Sequence, residues 1–141
     1  MKRKVFMVLL VGITCVLAGC VGPKPAGISD AQVVQDVDQF LLATQTDDYQ
    51  TSISNFSSTM KSSYSQGKFE SVRGLLSKAS GRFGYCSNEK PGLTDSKGYA
   101  VYTITCLFAL ENVTATVSYK IGGTQIEGLY FSSTGLLNLT K

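Results

Sequence analysis

Histidine is absent from this chain of 141 residues, and that single absence removes several chemistries. No imidazole exists to activate a serine or cysteine nucleophile, so the common hydrolytic dyads and triads have no base. The adjacent Ser77-Lys78 is no substitute, because neighbours in a helix point to different sides. A zinc site would lack both its histidines and a second cysteine pair. No metal site and no cofactor are implied.

Also missing is an apolar run long enough to span a bilayer. Lys2, Arg3 and Lys4 precede an apolar stretch beginning at Val5 that reaches Gly19, shorter than the roughly 20 residues that hydrocarbon of ~30 Å requires. A basic segment feeding a short apolar one is the pattern of an export signal. It ends in Leu17-Ala18-Gly19-Cys20, which resembles a lipobox. Residues 1–19 are therefore expected to be removed as a lipoprotein signal peptide, with Cys20 receiving diacylglycerol. Two acyl chains hold a protein at a membrane where one would leak, since each buried methylene contributes about 0.8 kcal/mol. The expected location is extracytoplasmic, anchored to the cell membrane, or to an outer membrane in a host that has one. The alternative is an ordinary secretory signal with an incidental cysteine.

Net charge disappears with that leader. Loss of Lys2, Arg3 and Lys4 reduces 13 basic residues to 10, against 10 acidic ones, so the pI near 8.7 belongs to the precursor. A neutral domain has no field to gather phosphates, which argues against nucleic-acid binding. Of the four cysteines, Cys15 leaves with the leader and Cys20 carries lipid. Cys86 and Cys106 remain, either as a disulfide suited to an oxidising compartment or as buried free thiols. A bridge would close a loop of about 20 residues and contribute about 3 kcal/mol in the chain-entropy model.

Residues 20–28, with Pro23 and Pro25, read as a stiff spacer, and 29–141 as one domain with a single core. Ser29 reads as a helix N-cap before Val33, Val34, Val37, Phe40 and Leu41, which recur at three and four. Asp36 and Asp38 flank that stripe and are expected in solvent. Asp47-Asp48 begins a second helical segment through Tyr49, Ile53, Phe56 and Met60, and serves better as a cap than as a calcium site. A third helix from about Gly67 or Lys68 turns Phe69, Val72, Leu75, Leu76 and Ala79 inward and stops at Gly81.

From Arg82 the period becomes two. Tyr102, Ile104, Cys106, Phe108 and Leu110 share one strand face, and Val113, Ala115, Val117, Tyr119 and Ile121 share another, with a turn at Glu111-Asn112. Gly122-Gly123 signals a hairpin. A tight turn sets Tyr119 opposite Ile126 and Val117 opposite Gly128, with Ile126 and Tyr130 toward the core and Glu127 outside. A loop that includes Thr124 would turn Glu127 inward.

Helices followed by an antiparallel sheet make an α+β layout. Phe40-Leu41, Asp48-Tyr49, Phe56-Ser57 before Met60-Lys61, Gly81-Arg82-Phe83 and the strand from Gln125 to Phe131 together resemble small exported proteins with a nuclear transport factor 2-like (cystatin-like) fold. The likeness covers nearly the whole mature domain. It implies N-terminal helices packed on a curved antiparallel sheet in a cone-shaped roll, a hollow inside it, and dimerisation through the sheet. Candidate lining residues of that hollow are Tyr102, Ile104, Phe108, Val117, Tyr119 and Tyr130. Fold alone fixes no activity.

Three functional expectations follow. The first is a non-catalytic binding or accessory module that takes a small apolar ligand in the hollow, or an envelope protein or second copy on the sheet. The second is an isomerase-like or hydrolytic enzyme using Glu127 with a tyrosine donor such as Tyr102 or Tyr119. The third is a structural envelope protein. Asn55, Asn112 and Asn138 each begin an N-glycosylation acceptor pattern.

Overall fold

A computed structural model of the chain describes residues 27–87, 92–95 and 97–139. The leader, Cys20 and the spacer as far as Ala26 lie outside the described residues. Four helices come first: α1 (Asp30–Thr46), α2 (Tyr49–Ser52), α3 (Ser58–Ser63) and α4 (Gln66–Ser80). The strands β1 (Phe83–Ser87), β2 (Leu93–Thr94), β3 (Tyr99–Phe108), β4 (Asn112–Lys120) and β5 (Ile126–Ser132) follow, and α5 (Thr134–Leu139) closes the chain. The architecture is α+β, with a five-stranded antiparallel sheet in the order β1-β3-β4-β5 and β2 alongside β3.

Each helix start is set by a side chain that accepts a backbone N–H left without an intrahelical partner. Ser29 accepts from Gln32, Asp48 from Thr51, Ser57 from Met60 and Ser65 from Lys68. Asp47 ends α1 in the left-handed region with φ +59°, and its carboxylate pairs with Arg73 at 3.3 Å. The expected second helix is thus two short ones, because the segment between them leaves helical geometry and Phe56 bridges to Ile126 in the sheet.

The core lies between α1 and one face of the sheet. Val33, Val37, Phe40 and Leu41 meet Tyr102, Ile104, Cys106, Val113, Ala115, Val117 and Tyr119, all of them buried. Cys86 and Cys106 are directly opposed across β1 and β3, and they form a disulfide. The polar connection after Cys86 is therefore tied at its base. Gly92 packs so closely on the Tyr102 ring that a Cβ there would come within 2.4 Å of it.

Four side chains depart from the expected alternation, the first being Ile121, which is exposed because β4 ends at Lys120. Leu110 is exposed, because β3 ends at Phe108 and the chain is already turning. Leu75 is also exposed, on the rim of α4. Tyr130 is 62% exposed instead of core-facing. The cause of this last difference is a bulge. Tyr119 pairs with Ile126 as the tight-turn register requires, but Ser118 then pairs with Gly128 and Val117 with Leu129. Glu127 is the extra residue, and one extra residue reverses which side chains face inward. Leu129 and Phe131 consequently turn to the core and Tyr130 turns out. Ile126 is fixed on its other edge as well: its N–H donates to the Asn55 carbonyl at 2.8 Å and its carbonyl accepts from Ser57 at 2.9 Å.

Candidate functional site

The chemically unusual group of this fold is Asp36. It was expected in solvent and is 3% exposed instead. Its carboxylate accepts hydrogen bonds from Gln32 Nε2 at 2.8 Å, Asn55 Nδ2 at 3.0 Å and Tyr119 Oη at 2.9 Å. The signal was in the sequence: Asp36 stands three residues after Val33 and four before Phe40, so helical spacing places it within the apolar stripe. A buried carboxylate persists when donors replace its water, and here three do. Asp38, also expected in solvent, is half-buried and accepts the Cys86 N–H at 2.9 Å. Burial raises its pKa, and that hydrogen bond partly offsets the rise.

Tyr119 and Tyr102 meet edge to face, with ring centroids 5.9 Å apart. Burial drives the Tyr119 pKa upward, and the neighbouring Asp36 carboxylate drives it further. Tyr102 is raised by burial and then by Asp30. A carboxylate beside a phenol in an apolar setting is the residue combination of a proton-transfer site. Among the described residues the pair is enclosed by other side chains. Tyr102, Ile104, Val117 and Tyr119 are each at most 1% exposed, and none of them lines any of the three cavities described next. In this geometry the network fastens α1 and the Asn55 segment to the centre of the sheet.

The cavities open elsewhere. One, of about 280 Å³, is a groove between α4, β5 and α5 lined by Val72, Leu75, Leu76, Leu129, Phe131, Leu136 and Leu137, with Tyr130 at its edge. A second, of about 520 Å³, lies on the outer sheet face among Asp95, Tyr99, Thr116, Ser118, Glu127 and Tyr130. The third, of about 580 Å³, is bounded by Thr44, Glu70, Arg73, Ser77, Lys78, Arg82 and Phe108. Of the six expected lining residues, then, Phe108 and Tyr130 border open space.

Glu127 belongs to the outer cleft. Its Oε2 accepts from Ser57 Oγ at 2.8 Å, while Tyr119 gives its hydroxyl hydrogen to Asp36. Glu127 and the interior tyrosines are therefore not brought together. Among the glycosylation candidates, Asn112 and Asn138 are exposed. Asn55 is half-buried, and its Nδ2 already donates to Asp36 and to Gln39. A glycan on that nitrogen would disrupt both bonds.

One acidic residue outside any expected site organises the far end of the sheet. Glu111 accepts from Ser80 Oγ at 2.8 Å, Ser133 Oγ at 2.6 Å and the Gly135 N–H at 3.0 Å. The hydrogen bond from Ser133 is the largest of the effects that lower its pKa, followed by that from Gly135. The chain matches no protein-family model, no curated protein and no solved structure.

Proposed function

We propose that this protein is a lipid-tethered, non-catalytic binding module of the cell envelope, built on a nuclear transport factor 2-like roll, with its ligand site in the groove between α4, β5 and α5. The observation that carries this reading is where the room lies. The interior is occupied by its own side chains, whereas the groove offers about 280 Å³ between predominantly apolar walls. Apolar walls with a few polar groups at the rim are the usual make-up of small-molecule sites. Here the lining residues with polar side chains are Tyr130 and Ser132. The helices-then-sheet order and the packing of α1 over the sheet support the roll, and the basic leader ending at Cys20 supports the tether.

Catalysis by Glu127 gains little from the geometry, since its carboxylate lies on the outer face and its resolved partner is Ser57. A thermal-shift screen of residues 27–141 against fatty acids and other apolar ligands, paired with native mass spectrometry, tests the proposal. The expected result is stabilisation by an apolar ligand, abolished by Leu75→Asp on the exposed groove rim. If no apolar ligand binds and only monomer is seen, the binding-module reading fails.

A further inference from the structure

Where the spacer meets the domain, at Gly27, bears on which end of the sheet lies nearest a lipid on Cys20. Gly27 is packed on the β4–β5 turn: a Cβ on it would lie 2.8 Å from the Cα and carbonyl carbon of Gly122. Its φ of +113° is in the range that favours glycine. The 97–98 turn joins the same end, where the Ile121 N–H donates to the Gly98 carbonyl at 3.1 Å. Tyr99 and Lys120 begin and end the paired stretch there. The opposite end carries the β3–β4 turn, with Leu110 72% exposed.

We propose that the β4–β5 turn end faces the bilayer and the β3–β4 turn end faces away from it. This rests on the lipidation of Cys20 put forward above. From Cys20 to Gly27 the chain takes seven residue steps, and no chain of that length spans more than about 25 Å. β3 runs ten residues from one end of the sheet to the other, close to 30 Å at about 3.3 Å per residue. For Leu110 to touch the membrane with the domain upright, Gly27 would have to stand about 30 Å from it. A flexible tether of seven steps averages only about 15 Å end to end, so approaching ~30 Å would require it to be stretched almost straight. The β4–β5 end is the one it holds against the bilayer.

Charge does not set the orientation. Lys24, Lys97 and Lys120 stand against Asp95 and Asp30 at the tethered end, an excess of one charge, where stable electrostatic anchoring takes a polybasic patch. The arrangement also places two of the three openings differently. The cleft holding Asp95 and Tyr99 is on the membrane side. The groove, whose Phe131 pairs with Ala115 toward the far half of β4 and whose α5 wall is held by Glu111, is on the outward side.

The test uses the full chain, processed and lipidated, in phosphatidylcholine vesicles that carry a nitroxide quencher on their headgroups. A fluorophore is attached to Thr124→Cys beside the β4–β5 turn, or to Leu110→Cys on the opposite turn, both exposed positions. The expected result is loss of most emission at 124 and of little at 110, unchanged by high salt. A Gly/Ser insertion before Gly27 that triples the spacer should erase much of that contrast. Equal quenching at the two positions, or stronger quenching at 110, overturns the orientation while leaving the lipid anchor standing. Protein that does not float with the vesicles overturns the anchor, and the orientation falls with it.

Discussion

The Tyr119 hydroxyl donates a 2.9 Å hydrogen bond to the Asp36 carboxylate across a sequence separation of 83 residues. Both partners are buried, so each replaces the water the other has lost. Asp36→Ala would leave the Tyr119 hydroxyl and the Asn55 amide without this acceptor, at a cost of about 1–3 kcal/mol for each orphaned group. Tyr119→Phe should cost about 1–3 kcal/mol on the same grounds. Because the two residues act through one bond, the double variant should be less destabilised than the sum of the single ones by about 1 kcal/mol or more. Urea titration of the three variants checks this, and strict additivity would remove the pair from the account.

Alkaline pH should unfold the protein for a related reason. Tyr64, Tyr102 and Tyr119 all have pKa values raised in the fold, burial being the largest cause in each. The Tyr64 hydroxyl, in an aromatic cluster with Phe40 and Phe56, has no hydrogen-bond partner among the described residues. A phenol whose folded pKa exceeds its unfolded value contributes stability that is complete below about pH 10 and is lost as pH rises beyond it. Stability measured by urea titration should therefore be level up to about pH 9 and fall steeply above about pH 10. Tyr119→Phe should reduce that slope.

Much of this fold was legible in the chain, and the parts that were not have a common cause. The Ser29 cap, the Gly81 stop, the face shared by Tyr102, Ile104 and Cys106, and the Tyr119–Ile126 pair all follow from local spacing and turn chemistry, which a linear reading contains. Glu111 could not be placed that way, and Asp36 only in part, since helical spacing puts it in the apolar stripe but does not name its partners. Their burial or bonding depends on donors that arrive from elsewhere, Tyr119 and Asn55 for the first and Ser133 and Gly135 for the second. The bulge at Glu127 is of the same kind. Periodicity gives the pairing up to Ile126, but the edge contacts with Asn55 and Ser57 accompany a break in the ladder that no period of two reveals. That break sets the orientation of Tyr130, and with it the rim of the proposed site.

The bulge itself can be tested at Gly128. A Cβ there would lie 2.7 Å from Ser118 Oγ, a contact that one side or the other must relieve. Gly128→Ala should destabilise the fold by about 1–3 kcal/mol, the usual range for overpacking. Adding Ser118→Ala should recover much of the loss. If Gly128→Ala destabilises the fold and Ser118→Ala recovers none of the loss, Gly128 and Ser118 are not paired as described.

Acid should act through Glu111. Its pKa is lowered by the three hydrogen bonds it accepts, that from Ser133 most strongly. A carboxyl depressed in the fold contributes stability that is present above its unfolded pKa and is lost as pH falls through the folded one. Stability should decline below about pH 4.5, and Glu111→Gln should flatten that decline while lowering stability at neutral pH. Amide exchange in α5 reads the same event locally, because Gly135 donates its N–H to Glu111. An unchanged acid profile in the variant would contradict this role.

The proposed tether, orientation and extracytoplasmic location all depend on the modification of one thiol. Intact-mass and N-terminal peptide analysis of the full chain, produced in a bacterium with lipoprotein-processing enzymes, addresses it directly. The account predicts a chain that begins at Cys20 and carries a diacylglycerol thioether, with loss of both processing and lipid in Cys20→Ala. A chain that retains Met1, or one cleaved before Cys20 but without added acyl mass, would contradict it.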